Sequence, residues 1–317
     1  MDKFEIRKEC ERLFKLRTIQ DSYDLINIYL NFLNQVINNH HEDKVFSYAD
    51  RDAKMVNQMM FTKVAHIKRI IEGINFQSKD GVQLNTIIDP TIVASLIRNV
   101  YETVGMFHLI YRRTKNEDEK TILYDLWVHA GLMFRQRFEN VITTAENRGK
   151  FKNEQKQLEQ LKNEIKETGL FKELTEKNQN KILTKLKEKD YKIWFNDNEV
   201  EFLSWQDITG VMGLKNDLLD NIYTYFSLYS HPSNVAVFQF SDMFEKGDEP
   251  FKQITNHNLT NLFVLLSIYV ADYINLFPTV NEIYDKLSVR DQVVINFHNT
   301  TFRGDEYSIN EIWKELE

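Results

Sequence analysis

Residues 89–113 read DPTIVASLIRNVYETVGMFHLIYRR, and this stretch decides the fold. Asp89-Pro90 is a helix start in the favoured order: an acidic N-cap, then proline at the first helical position, where its missing N–H leaves no bond unmade. The spacing predicts a helix to about Arg113. On a helical wheel Ile92, Val93, Leu96, Ile97, Val100, Val104 and Phe107 fill one side. The other side holds Thr91, Ala94, Ser95, Gly105, Met106 and Leu109 around Arg98 and Glu102, which share a face because they are four residues apart. A solvated face would carry Lys, Glu and Gln. Both faces are therefore expected to be packed, with the Arg98–Glu102 pair in a groove or inside a bundle. Burying an ion pair is costly unless further hydrogen bonds satisfy it, so other polar groups are expected close by.

Outward from this helix the chain keeps the same character. Its 317 residues include only 10 Gly and 4 Pro, with 42% hydrophobic residues. Scarce turn formers and ample apolar material favour long helices around a core over a turn-rich β fold. Helices are expected over Asp2–Leu16, Ser22–Asn39 and Tyr48–Gly73, with a loop over Gln77–Asn85 around Asp80-Gly81. After the opening helix, another should run from Asn116 or Asp118 to Gly149, a C-terminal stop. Residues 150–192 are dense in Lys and Glu and read as a solvated helical hairpin or lid. Tyr191–Leu203 alternates around Asn196-Asp197-Asn198-Glu199 and reads as a β hairpin, and Ser204–Met212 as a short helix with a near capping box. Lys215–Ser230 is a Tyr-rich helix. Thr255–Phe277 is apolar all round and should be central. The fold class is thus mainly α: a helical bundle with one small β hairpin near 192–203 and a charged helical insertion. The expected division is N-terminal helices 1–88, a helical core 89–149 and 193–297, the insertion 150–192, and a C-terminal tail 298–317.

Net charge is −7, which excludes a whole-protein basic field for nucleic acid but leaves room for a local patch. The single cysteine, Cys10, rules out an internal disulfide and suits a reducing compartment. Met1–Arg17 lacks an apolar h-region and does not read as a secretory signal. Leu259–Phe277 approaches membrane-span length but carries Asn261, Asp272 and Asn275, so a buried core helix is the expected state and no membrane association is expected. A cytoplasmic location follows as an expectation.

A second polar feature closes the Tyr-rich helix at Ser227-Leu228-Tyr229-Ser230-His231-Pro232-Ser233. Proline disfavours the helical conformation of the residue before it, so His231 should leave the helix extended. Tyr223, Ser227 and Ser230 form one face leading to it. Histidine exchanges protons near neutral pH; the plain alternative is a cap on the last helix carbonyls. Asp272 is the only charge in the central apolar helix and should be paired, with Arg98, His231 or Arg135 as partners, or else tip out to solvent. Arg135 lies in a stripe of Tyr124, Val128, Gly131, Leu132 and Phe138 and is read as inward-facing.

Several chemistries lack their motifs. There is no GxxxxGK[ST] or GxGxxG for a phosphate loop and no HExxH or cysteine cluster for a metal. His40 and His41 are adjacent and cannot share a helix face. Ser230, His231 and Asp272 have no GxSxG elbow to make them a triad. No cofactor and no metal are expected.

The order Arg98-x3-Glu102 in an apolar helix, then a Tyr-rich helix with Tyr223, Ser227 and Ser230-His231, resembles the HEPN superfamily of helical bacterial nucleotide-binding and ribonuclease domains over roughly Pro90–Phe277. The resemblance implies a stress or anti-phage defence protein that binds or cleaves RNA or a nucleotide, and a homodimer. It also implies catalytic roles for Arg98, Glu102 and His231, with Tyr223, Ser227, Ser230, Asp272 and Arg135 in binding. One departure stands out. Catalytic members carry a histidine a few residues after the arginine on the same helix; here Thr103 stands nearest that place, His108 is too far along, and Arg290 to His298 is too wide. Either His231 supplies the histidine or the domain is not a nuclease of that type. The other reading is a non-catalytic interaction module whose polar set fixes helix register and whose 150–192 segment docks a protein partner.

Overall fold

The computed structural model describes residues 2–40, 42–197, 199–215, 219, 221–247 and 249–316. In chain order its elements are α1 (Lys3–Lys15), α2 (Ile19–His40), α3 (Tyr48–Ile70), β1 (Ile74–Gln77), β2 (Gln83–Ile87), α4 (Pro90–Phe107), a π-helical turn His108–Arg112, α5 (Glu117–Arg135), a 3-10 turn Gln136–Val141, α6 (Ala145–Glu167), α7 (Gly169–Glu173) and α8 (Glu176–Glu188). There follow β3 (Ile193–Asn196), β4 (Glu199–Phe202), α9 (Ile208–Val211), α10 (Ile222–Ser230), α11 (Asn234–Glu245), α12 (Glu249–Leu276), α13 (Asn281–Asp285) and α14 (Val289–Phe302). The protein is mainly α, with two small antiparallel hairpins among the described residues.

The chain divides into two compact units, Met1–His108 with Thr209–Glu317, and Leu109–Ile208. In the first unit α12 is the axis, packed by α4, α14 and α2, while α3 and α10 lie on α4. Residues 261–274 are buried without exception. By length and composition α12 could cross a membrane, yet 83% of its most apolar window is buried, so protein covers its apolar surface. Phe107 meets Tyr269 edge-on and stacks on Tyr273, with ring centroids 5.0 and 5.9 Å apart. Fully burying such a side chain contributes about 1.5–3 kcal/mol, which is how an all-round apolar helix becomes the core. The α4 start is as expected: Asp89 Oδ1 accepts from the N–H of Thr91 at 2.8 Å.

The second unit is built on α5, which carries α6 and α8. The Lys/Glu-rich segment is not a free hairpin: Leu158, Leu161 and Ile165 are buried, the first two against Leu132, Val128 and Met133. The predicted hairpin forms as β3–β4, with Ile193 opposite Phe202 and Asn196 opposite Glu199; Asn198 of its turn lies outside the described residues.

Two expectations fail locally. Gly149 ends no helix but sits inside α6: α5 stops at Arg135, and Thr144 restarts the chain by accepting from the Asn147 N–H at 3.2 Å. The apolar stripe beyond Gly149 outweighs its weak propensity. Gln77–Asn85 is not all loop, because β1 and β2 pair around Ser78–Val82. Ile74 and Phe76 are exposed, so this hairpin shows no inside–outside alternation to be read. The Tyr-rich helix is described only over Ile222–Ser230; residues 216–218 and 220 of the expected Lys215–Ser230 lie outside the described set.

Candidate functional site

Arg98 projects from the middle of α4, where α10 crosses it. Its Nε donates to Glu102 Oε1 at 3.2 Å and its Nη2 to the Tyr223 hydroxyl at 2.6 Å. The guanidinium also lies over the Tyr223 ring, 4.7 Å from its centroid. Tyr223 in turn donates to Glu102 Oε1 at 3.3 Å. Burial, with Glu102 beside it, raises the phenol above its usual range against the pull of Arg98, so the hydroxyl keeps the proton it donates. α10 ends at Ser230, and His231 is extended with φ −110° and ψ 150°, as Pro232 requires. That turn puts His231 Nε2 3.4 Å from Arg98 Nη1. A guanidinium only donates, so this contact is a hydrogen bond when Nε2 presents its lone pair to it.

Four residues predicted from sequence therefore meet: Arg98, Glu102, Tyr223 and His231. The ion pair is half-buried, with side-chain exposures of 22% for Arg98 and 31% for Glu102, while His231 is exposed. Of the two expected settings, a groove or the inside of the bundle, the groove is the one found. A fifth residue, Lys63 of α3, was missed: its Nζ bonds Asn99 Oδ1 and feels the Glu102 charge. No spacing rule links Lys63 to Arg98, since α3 meets α4 only in the folded bundle. Burial pulls the Lys63 pKa down, opposed by Glu102. Two cations and one carboxylate leave the cluster net positive. It adjoins a groove of about 480 Å³ lined by Ile92, Leu96, Tyr229, His231, Val237 and Phe240 among others.

The remaining predicted residues are elsewhere engaged. Ser227 and Ser230 line the same helix, but their hydroxyls donate back to the carbonyls of Tyr223 and Phe226, each at 2.7 Å. Arg135 is not inward: it is 57% exposed and pairs with Glu154 of α6 inside the second unit. Asp272 joins neither Arg98 nor His231. It is buried and binds His108 Nδ1 at 2.7 Å and Arg303 Nη2 at 3.0 Å. His108 Nε2 lies 3.0 Å from the Val211 carbonyl, and Arg303 Nε donates to Met212 at 2.8 Å. Both ring nitrogens of His108 thus face an oxygen, the Asp272 carboxylate on one side and the Val211 carbonyl on the other. Burial alone would raise the Asp272 pKa; the charges of His108 and Arg303 outweigh it and hold the carboxyl below its usual range. Of the two expectations for Asp272, pairing holds and tipping out to solvent does not, but the partners are His108 and Arg303 and not Arg98, His231 or Arg135.

This second cluster clamps the chain where it leaves and re-enters the first unit. His108 is that segment's last residue before the second unit, and Val211 and Met212 follow its return at Thr209. Gly213, φ +76°, closes the turn against Tyr307, whose ring leaves no room for a Cβ.

No curated protein and no solved structure matches this chain. A family profile described as a family of unknown function matches residues 84–250. That stretch contains Arg98, Glu102, Tyr223 and His231 but neither Asp272 nor Arg303. It spans just over half of the chain, which therefore belongs to the DUF5677 family.

Proposed function

We propose that the Arg98–Glu102–Tyr223–His231 cluster is an anion site for the phosphate of RNA or a nucleotide, in a HEPN-like protein acting in the cytoplasm of a bacterium under stress or phage attack. The observation that carries this reading is the convergence of a guanidinium, a phenol and an exposed imidazole lone pair from α4 and α10 at the edge of an open groove. Arg98 would grip phosphate oxygens through its forked N–H groups, with Glu102 orienting it. On RNA, His231 Nε2 would take the proton from the 2′-hydroxyl as its oxygen attacks phosphorus and the 5′-oxygen leaves, protonated by water. The histidine absent from the helical position near Thr103 is in this reading supplied by the residue before Pro232.

The test is RNA and nucleotides incubated with the wild-type chain, Arg98→Ala and His231→Ala. A general base contributes about 10²–10⁴-fold, so each variant should lose at least about 100-fold in cleavage. Equal activity in all three, or activity in none, rules out the catalytic role.

A second reading, a non-catalytic interaction module, has one observation in its favour: every nitrogen of Arg98 already has a neighbour in the chain. In that case the cluster fixes the register of α10 on α4, and Arg98→Ala lowers the melting temperature with no function at the groove to lose.

A further inference from the structure

The groove beside the cluster has a polarity of its own. Its walls are mostly apolar, supplied by Ile92 and Leu96 of α4, Pro232, and Val237 and Phe240 of α11. Ile92 and Val237 are 48% and 57% exposed, much of it surface that nothing in the described chain covers. His231 lines the groove and also touches Arg98, so the apolar trough and the cationic cluster are continuous. At the start of α4 the groove is lined by Asp89. Its Oδ1 takes the bonds that cap the helix, from Thr91 N–H and Thr91 Oγ1 at 2.8 and 2.7 Å, and Oδ2 has no partner among the described residues. Nine residues separate Asp89 from Arg98, about 13 Å of helix rise. The groove thus runs from a carboxylate, through an apolar middle, to an imidazole whose Nε2 lies 3.4 Å from the Arg98 guanidinium.

Resting on the anion-site reading above, we infer that this groove is a base-binding subsite, so that the ligand is a nucleotide unit of a single strand with its phosphate on Arg98 and its base in the trough. The charge pattern selects this occupant. A polyanionic backbone lying along the groove would meet Asp89, and inorganic phosphate would leave the apolar walls wet. A nucleotide has one anionic end and one flat, weakly polar end, and matches the groove in one orientation only. A duplex cannot enter, because its bases are stacked and paired away from such a trough.

The test uses the full chain and two probes, a ribonucleoside monophosphate and inorganic phosphate, each titrated calorimetrically against wild type, Arg98→Ala and the double variant Ile92→Asn with Val237→Asn. Both groove substitutions fall on exposed positions, and an unchanged melting temperature confirms the fold. Stacking of a base on an aromatic side chain is worth about tenfold or more in affinity, and Tyr229 and Phe240 line the groove. The nucleotide should therefore bind wild type at least about tenfold more tightly than phosphate. The double variant should lose that margin with its phosphate affinity unchanged, and Arg98→Ala should weaken both probes. Equal affinity for the two probes in wild type, or a margin that survives in the double variant, overturns the base subsite while leaving the anion site standing. Binding of neither probe overturns both.

Discussion

Two clusters of the first unit use the same chemistry in opposite surroundings. Around Arg98 an arginine, an acid and a histidine meet at a half-buried edge, and the histidine is exposed. Around Asp272 an arginine, an acid and a histidine meet in the core, and all three are buried. Ten residues of one helix and its π-helical extension separate Arg98 from His108. In the core every charge is answered: Arg303 also donates to Asn299 Oδ1 at 3.2 Å, and Asn299 bonds the backbone and side chain of Ser267. A network so completed has nothing left for a ligand. At the edge, the imidazole is exposed and the groove is open to one. Residue type does not separate these roles; access to solvent does.

The largest effect expected is in the core. Asp272→Ala leaves Arg303 charged and buried without its carboxylate and takes the Nδ1 partner from His108, and should cost about 3–5 kcal/mol in denaturant unfolding. A loss under 1 kcal/mol would break the contrast. The same pair sets an acid dependence. Because the folded pKa of Asp272 is lowered, its stabilisation is present above the unfolded value near about 3.9 and is lost as pH falls through the folded one. Acid unfolding of Asp272→Asn should be correspondingly less steep.

Asp125 of α5 sharpens the contrast from the other side. It is buried too, but its Oδ2 is unsatisfied, and burial, aided by the Glu164 charge, pushes its carboxyl up to about 7. A raised pKa gives stability that is full below about pH 4 and is lost as pH rises through about 7. Asp125→Asn should therefore gain stability relative to wild type between pH 5 and pH 8, on the order of 2 kcal/mol. Melting curves at the two values with no relative change would refute it. His129, one turn on, is also buried, with Nδ1 unsatisfied; burial lowers its pKa, so its share is lost instead as pH falls below about 6.5.

At the open edge the effects on stability shrink. Arg98→Ala removes a half-exposed pair and should cost about 1 kcal/mol, nearer the surface range than the buried one, while weakening phosphate binding. A stability loss as large as that of Asp272→Ala would instead assign the cluster to structure. Smallest of all, Ser227→Ala and Ser230→Ala remove hydroxyls that only bond their own helix. Each should stay within about 0.5 kcal/mol of wild type, and a marked loss of activity in either would return these hydroxyls to the site.

By itself the sequence determined the helical class, the start of α4 at Asp89-Pro90, the central place of α12, the β3–β4 hairpin and the exit of His231 at Pro232. Each follows from forces acting within a few residues: capping, periodicity, turn chemistry and the steric rule before proline. It also marked Arg98, Glu102, Tyr223 and His231, because polar side chains in apolar helices must find partners. Only the tertiary structure decided who those partners are. Lys63 came to the cluster from α3, and Arg303 took Asp272 across 31 residues of intervening chain, since pairing across a bundle depends on which helices pack together and carries no local spacing. Packing likewise carried α6 through Gly149, where burial of Leu158, Leu161 and Ile165 outweighed a glycine's preference.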